Sequence, residues 1–335
     1  MFKNIRFKNS LRLLTIGITV SAIARIETSN TAQAQSAPKV VASHSVICDL
    51  LDTVAQETID LTCLLDGNRD PHTYRPTPQD RKAIEEAQLI FYGGYQLEPL
   101  ITKLIADTQV PKIALYEQAV TEPIMAEHKH GHGDEHEDEG EHSEAEATPE
   151  SKEADPHVWH NIENTVKMVE AIRSIMLQVN PPAAEQYLVN SSTLTEQLWQ
   201  LDGWIKEQIA TIPEGKKVLV TSHDSFNYYT QAYYLEDYLT LQGLSAESSP
   251  TASQVRELSQ EIKETGVPTI FAESTKSDRV IRNVAKAADV ELSMQPLYAD
   301  GLGAAENYLD MMSHNTCAIV DGLGGECKPF SAVAN

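Results

Sequence analysis

The sequence predicts an α/β fold: two lobes with parallel sheets, joined by one long α-helix, with a cleft between them. Three observations carry the architecture. Short β-type runs alternate with helical stretches from Lys39 to Leu115, the order that gives parallel strands and crossover helices. The same alternation restarts at Lys217. Between the halves, Leu194, Leu198, Leu201, Ile205 and Ile209 recur at helical spacing on a stretch bounded by Pro181-Pro182 and Pro213.

The predicted boundaries are a signal peptide over 1–34, an N-terminal lobe over 38–180, a linking helix over 182–211 and a C-terminal lobe over 214–328. Lys3, Arg6, Lys8 and Arg12 precede the apolar run Leu13–Ala24, and Ala32-Gln33-Ala34 offers a small-x-small cleavage site. That run is too short to span a bilayer, so a periplasmic protein without membrane insertion is expected. No cysteine lies beside the cleavage site, which speaks against a lipid anchor there.

Within the first lobe, Lys39–Ala42 and Asp60–Leu65 read as strands around a helix from Val46 to Ala55. Asp66-Gly67-Asn68 is a turn, and the proline-rich loop after it carries His72. Thr77 is placed to cap a helix whose first position is Pro78. Leu89–Tyr92 and Lys112–Leu115 read as buried strands flanking a helix near Leu97–Asp107. After Asn161, the stripe Val166, Val169, Ile172, Ile175 and Met176 predicts another helix, and 182–211 would span about 40 Å at 1.5 Å per residue. In the second lobe, strands are expected at Lys217–Thr221, Leu235–Leu241, Thr269–Ala272 and Leu292–Met294. Helices are expected at Phe226–Tyr234, Ser253–Thr265, Asp278–Ala288 and Ala304–Gly322.

A formal charge of -23, from 26 basic and 49 acidic residues, leaves no basic excess for nucleic acid. Residues 127–155 alone contribute -10 of it. The loop over 126–154 holds His128, His130, His132, His136 and His142 among acidic residues, with almost no large apolar side chain to fold around. It reads as a disordered segment that binds extra metal weakly. Four cysteines without a Cys-x-x-Cys pair predict disulfides in an exported protein, with local pairing, Cys48–Cys63 and Cys317–Cys327, favoured among the three connectivities.

Four residues share a context. His72 follows the second strand, His157 the fourth, Asp300 the last, and His223 lies two residues beyond Lys217–Thr221. Ligands of open α/β sheets bind beyond the carboxyl ends of strands, so these loops can face one cleft. Singly, each has a plainer explanation: a loop histidine bonded to backbone, packing beside Trp159, a pairing with Asp224, a helix-flanking carboxylate. Together, three imidazoles and a carboxylate make a closed four-coordinate shell suited to Zn²⁺. A rival reading, a metal-dependent hydrolase, lacks both a His-Glu-x-x-His helix and a Gly-x-Ser-x-Gly elbow.

Asp70-Pro71-His72-Thr73-Tyr74, Asp155-Pro156-His157-Val158-Trp159, Thr221-Ser222-His223-Asp224, Phe271-Ala272-Glu273-Ser274 and Leu297-Tyr298-Ala299-Asp300 together resemble the ZnuA-like family of periplasmic solute-binding proteins of zinc and manganese ABC importers. The resemblance implies a metal between the lobes at His72, His157, His223 and Asp300, a membrane permease as partner, a monomer, and no enzymatic activity. Glu273 and Ser274 are expected to orient a ligand imidazole. His160 is a further candidate, with a capping or surface role favoured. Manganese carriers of the family place a carboxylate at the third position, where this chain has His223, so Zn²⁺ is the expected cargo and Mn²⁺ the alternative. An adhesin role would share this fold.

Overall fold

The computed structural model describes residues 36–126, 152–245 and 250–332. The expected leader and the five loop histidines, His128, His130, His132, His136 and His142, lie outside the described residues.

The N-terminal lobe runs β1 (Lys39–Ala42), α1 (Ser45–Ala55), β2 (Asp60–Cys63), α2 (Pro78–Glu86), β3 (Leu89–Tyr92), α3 (Pro99–Ala106) and β4 (Lys112–Ala114). All pairings are parallel, in the order β2-β1-β3-β4. Central β1 buries Val40, Val41 and Ala42. β4, expected to be buried, is an edge strand and half exposed, since only β3 covers it. Helix α2 starts where Thr77 and Asp80 exchange side-chain-to-backbone hydrogen bonds (3.2 and 2.6 Å), two otherwise orphaned donors satisfied at once.

Helix α4 (Leu115–Ala119) leads to β5 (Met125–Ala126), which pairs antiparallel with β6 (Glu153–Ala154). Sequence reading did not foresee this pair. It brings the two ends of segment 127–151 side by side, with Ala126 opposite Glu153. A 3-10 turn, Val158–His160, follows, then α5 (Ile162–Val179), capped by the Asn161 side chain on the Glu163 N–H (2.8 Å).

Pro181 and Pro182 form a 3-10 turn before α6 (Ala184–Ile209), so the α-helix begins two residues later than expected. Its 26 residues span about 39 Å at 1.5 Å per residue. It packs on α1 and α5 of the first lobe and on α10 (Tyr308–Gly322) of the second.

The second lobe comprises β7 (Val218–His223), α7 (Asn227–Ala232), β8 (Asp237–Gln242), α8 (Ala252–Thr265), β9 (Thr269–Ile270), α9 (Arg279–Ala288), β10 (Glu291–Leu292) and α10. β7 pairs with β8 and β9 with β10, all parallel. The Phe271 N–H donates to the Val220 carbonyl (2.9 Å) and links the two pairs. β9 is shorter than expected because the chain bends beyond Ile270 to pair Glu273 with Leu297. The loop 297–303 turns at Gly303, where φ is 61° and a Cβ would fall inside the Tyr298 ring, so only glycine fits.

Disulfides join Cys48 to Cys63 and Cys317 to Cys327, the local pairing expected. The largest apolar cluster runs without interruption from β1 through α5 and α6 to β7 and β9. Among the described residues, no helix is long and apolar enough to cross a membrane.

Candidate metal centre

His72, His157, His223 and Asp300 converge on one point, all buried. One donor atom from each lies within 4.8 Å of the others. Asp300 Oδ1 is 3.5 Å from His72 Nε2, 3.6 Å from His157 Nε2 and 3.2 Å from His223 Nε2, and the first two nitrogens are 3.3 Å apart. Donors about 2.0–2.1 Å from a central zinc, at the corners of a tetrahedron, are separated by about 3.3–3.4 Å. The four measured edges bracket that length.

Local folding aims each group. His72 and His157 each sit two residues after an aspartate, across a proline that fixes the backbone. In both tripeptides the aspartate Oδ1 accepts the histidine backbone N–H (2.9 Å). Asp155 Oδ1 also accepts the Nδ1–H of His157 (2.8 Å), which leaves Nε2 with its lone pair toward the cluster. His223 is the last residue of β7 rather than two residues past the strand. Its Nδ1–H donates to Glu273 Oε2, while Glu273 Oε1 accepts the Ser222 and His223 backbone N–H groups (2.9 Å each). Two imidazoles thus turn Nε2 toward a carboxylate oxygen. His223 Nε2 and Asp300 Oδ1 have no hydrogen-bond partner although fully buried. Donors gathered this way in low dielectric repel unless a proton or a metal cation lies among them.

The electrostatics follow the same pattern. Burial works against the charge on Asp300, but the His223, His157 and His72 imidazoles outweigh it and hold the carboxyl well below its usual range. For His223, burial opposes the protonated ring, yet Glu273 and Asp300 prevail and raise it to about 10. His157 is raised against burial by Asp155, whereas burial lowers His72 despite Asp300.

Asp300 turns Oδ1 toward the three imidazoles. Its Oδ2 accepts from Thr275 Oγ1 (2.6 Å) and lies 3.3 Å from Lys276 Nζ. Lys276 also donates to Asp70 Oδ2 (2.6 Å) across the cleft. On the other side, Asn227 Nδ2 donates to Asp155 Oδ2 (3.0 Å). The repeated tripeptide therefore does the same work twice: one aspartate oxygen holds the histidine, the other reaches the opposite lobe.

Of the two residues expected to orient a ligand imidazole, Glu273 hydrogen-bonds His223 and Ser274 touches none of the four. Its hydroxyl is buried without a hydrogen-bond partner and its N–H donates to the Leu297 carbonyl (2.9 Å). His160 is neither a surface group nor part of the cluster. It is buried, donates from Nε2 to the Ala299 carbonyl (2.9 Å) and stacks on Phe226, and burial lowers it to about 3. Sequence reasoning missed His44, Asp155 and Lys276. His44 donates from Nε2 to the Asp300 carbonyl (2.9 Å) and accepts at Nδ1 from Tyr116 (2.6 Å); burial lowers it to about 4. Two neutral histidines from the first lobe thus pin the loop that carries Asp300. The aspartate two residues before a loop histidine was a readable signal, since that spacing makes an Asx-turn.

Comparison with known proteins places these features in context. A family model described as zinc-uptake complex component A, periplasmic (ZnuA), matches residues 40–322. The chain is 30% identical over 293 residues to the manganese ABC transporter substrate-binding lipoprotein PsaA of Streptococcus anginosus, covering 85% of this chain and 89% of the relative. It is 27% identical over 310 residues to the manganese-binding lipoprotein MntA of Halalkalibacterium halodurans, covering 91% and 94%. The periplasmic zinc-binding protein TroA of Treponema pallidum superposes with a TM-score of 0.73 at 26% identity, covering 85% of this chain and 99% of that one.

Proposed function

We propose, since the chain belongs to the ZnuA family of periplasmic zinc-uptake components, that it is the substrate-binding protein of a metal ABC importer and that its cargo is Zn²⁺. Its partner is then the importer's membrane permease, and it works in the periplasm. The observation that carries the reading is the donor set. Three imidazole nitrogens and a single carboxylate oxygen gather within 4.8 Å of one another, and the three separations from Asp300 Oδ1 and the one between His72 and His157 lie near the edge length of a zinc tetrahedron.

The chain's own residues account for capture. Nδ1 of His157 and of His223 is committed to a carboxylate, so each ring meets the cation through Nε2. Asp300 supplies negative charge at the same point. Burial excludes water, which strengthens the attraction between these donors and the ion. Burial also implies that the cleft opens for entry and release. The contacts that part are His44 and His160 with the loop 297–303, Lys276 with Asp70, and Asn227 with Asp155.

Manganese is the second reading, and the relatives named for manganese favour it. Mn²⁺ prefers oxygen donors and more of them, whereas this cluster offers three nitrogens and one oxygen. Affinity order alone favours zinc at almost any such site, so zinc binding by itself says little. The test is metal analysis of untagged protein as isolated, followed by Zn²⁺–Mn²⁺ competition. Zinc as the retained metal supports the reading; manganese as the retained metal overturns it.

A further inference from the structure

The outer oxygen of Asp300 poses a question that a list of metal donors leaves open. A carboxylate can give a cation one oxygen or two, and the number matters most to ions that favour oxygen and high coordination. We propose that Lys276, with Thr275, is a specificity-determining residue: by occupying Asp300 Oδ2 it restricts Asp300 to one donor oxygen and so biases the site toward a four-coordinate ion. The inference rests on the reading of this cluster as the cargo site.

The geometry is built to hold that restriction. Thr275 Oγ1 lies 2.6 Å from Oδ2 and Lys276 Nζ 3.3 Å from it, whereas the three imidazole nitrogens lie 3.2–3.6 Å from Oδ1. The ammonium does not float. Asp70 Oδ2 anchors it at 2.6 Å, and Asp70 is itself fixed because its Oδ1 accepts the His72 N–H (2.9 Å). Lys276 and Asp70 side chains are only 13% and 15% exposed, so water does not readily replace either contact. Rotating the carboxylate to chelate would break a hydrogen bond to Thr275 and strip an ion pair from a buried lysine. A cation satisfied by four donors asks for neither.

A role limited to charge differs in its consequence. Removing a nearby positive charge strengthens the binding of both divalent ions alike and leaves their ratio unchanged. Loss of the oxygen restraint favours manganese specifically.

The experiment compares wild type, Thr275→Val, Lys276→Met and the double variant, each checked for folding by circular dichroism and loaded with Zn²⁺ or Mn²⁺. The ratio of the manganese to the zinc dissociation constant is expected to fall at least about tenfold in the double variant. X-ray absorption of the manganese-loaded form should gain one oxygen neighbour. Thr275→Val, which keeps the lysine, should shift the ratio part of the way. A wild-type preference for zinc with an unchanged ratio in all folded variants overturns this inference alone. Wild-type protein that takes manganese as tightly as zinc overturns the proposed cargo as well.

Discussion

Asp155 and His157 are joined twice through one oxygen: Oδ1 accepts both the backbone N–H (2.9 Å) and the ring Nδ1–H (2.8 Å) of the histidine two residues on. The pair fixes where the ring sits and which of its nitrogens is bare. Asp155→Ala should therefore weaken zinc binding by about 10–100-fold, the usual effect of losing the carboxylate behind a ligand imidazole. A chelator competition assay reads the loss directly, and unchanged affinity would mean that packing around Trp159 suffices to orient His157.

Binding should be linked to proton release. Glu273 and Asp300 overcome burial to raise His223 to about 10, so the metal-free protein carries a proton on this ring at neutral pH. The cation must displace it, so apparent affinity rises with pH, by about tenfold per unit while the ring stays protonated. The gain runs out only near the raised value. Calorimetry in two buffers of different ionisation enthalpy should give about one proton released per zinc at pH 7. A value of zero would mean that the ring is neutral in the metal-free protein and that Glu273 and Asp300 do not outweigh burial.

The histidine- and acid-rich segment should be separable from the cluster. β5 and β6 already hold its ends side by side, so residues 127–151 can be exchanged for Asn-Gly, which with Lys152 makes a three-residue hairpin loop. We expect the shortened protein to keep its tight site and to bind fewer zinc ions in total. Equal stoichiometry in both forms would make the segment a spacer.

His223 is the position where ion choice should respond most. Replacing it by glutamate turns three nitrogens and one oxygen into two and two, a harder set. The zinc-over-manganese preference should fall by at least about tenfold, roughly 1.4 kcal/mol. Overall affinity should fall too, because Glu273 would face a second buried carboxylate in place of a ring N–H. An unmoved ratio would deny His223 the selecting role.

Much of this was legible in the chain. Strand–helix alternation gave both lobes, the Leu194–Ile209 stripe gave the long helix, and loops at strand ends gave the four converging groups. What was not legible depends on distant partners. His44 meets Asp300 across 256 residues, and Lys276 meets Asp70 across 206, separations that no local pattern encodes. His160 looked like a helix-start surface group because its acceptor, the Ala299 carbonyl, comes from the other lobe. Ser274 stands beside Glu273 in sequence, but Glu273 makes all the contacts to His223.

X-ray absorption on zinc-loaded protein lacking 127–151 reads whether His72, His157, His223 and Asp300 together hold one cargo ion, because the shortened chain removes the competing histidines. We expect four nitrogen or oxygen donors at about 2.0–2.1 Å, three of them imidazoles, with one imidazole lost in His72→Ala. A shell of five or six donors, or one in which fewer than three imidazoles scatter, would contradict it.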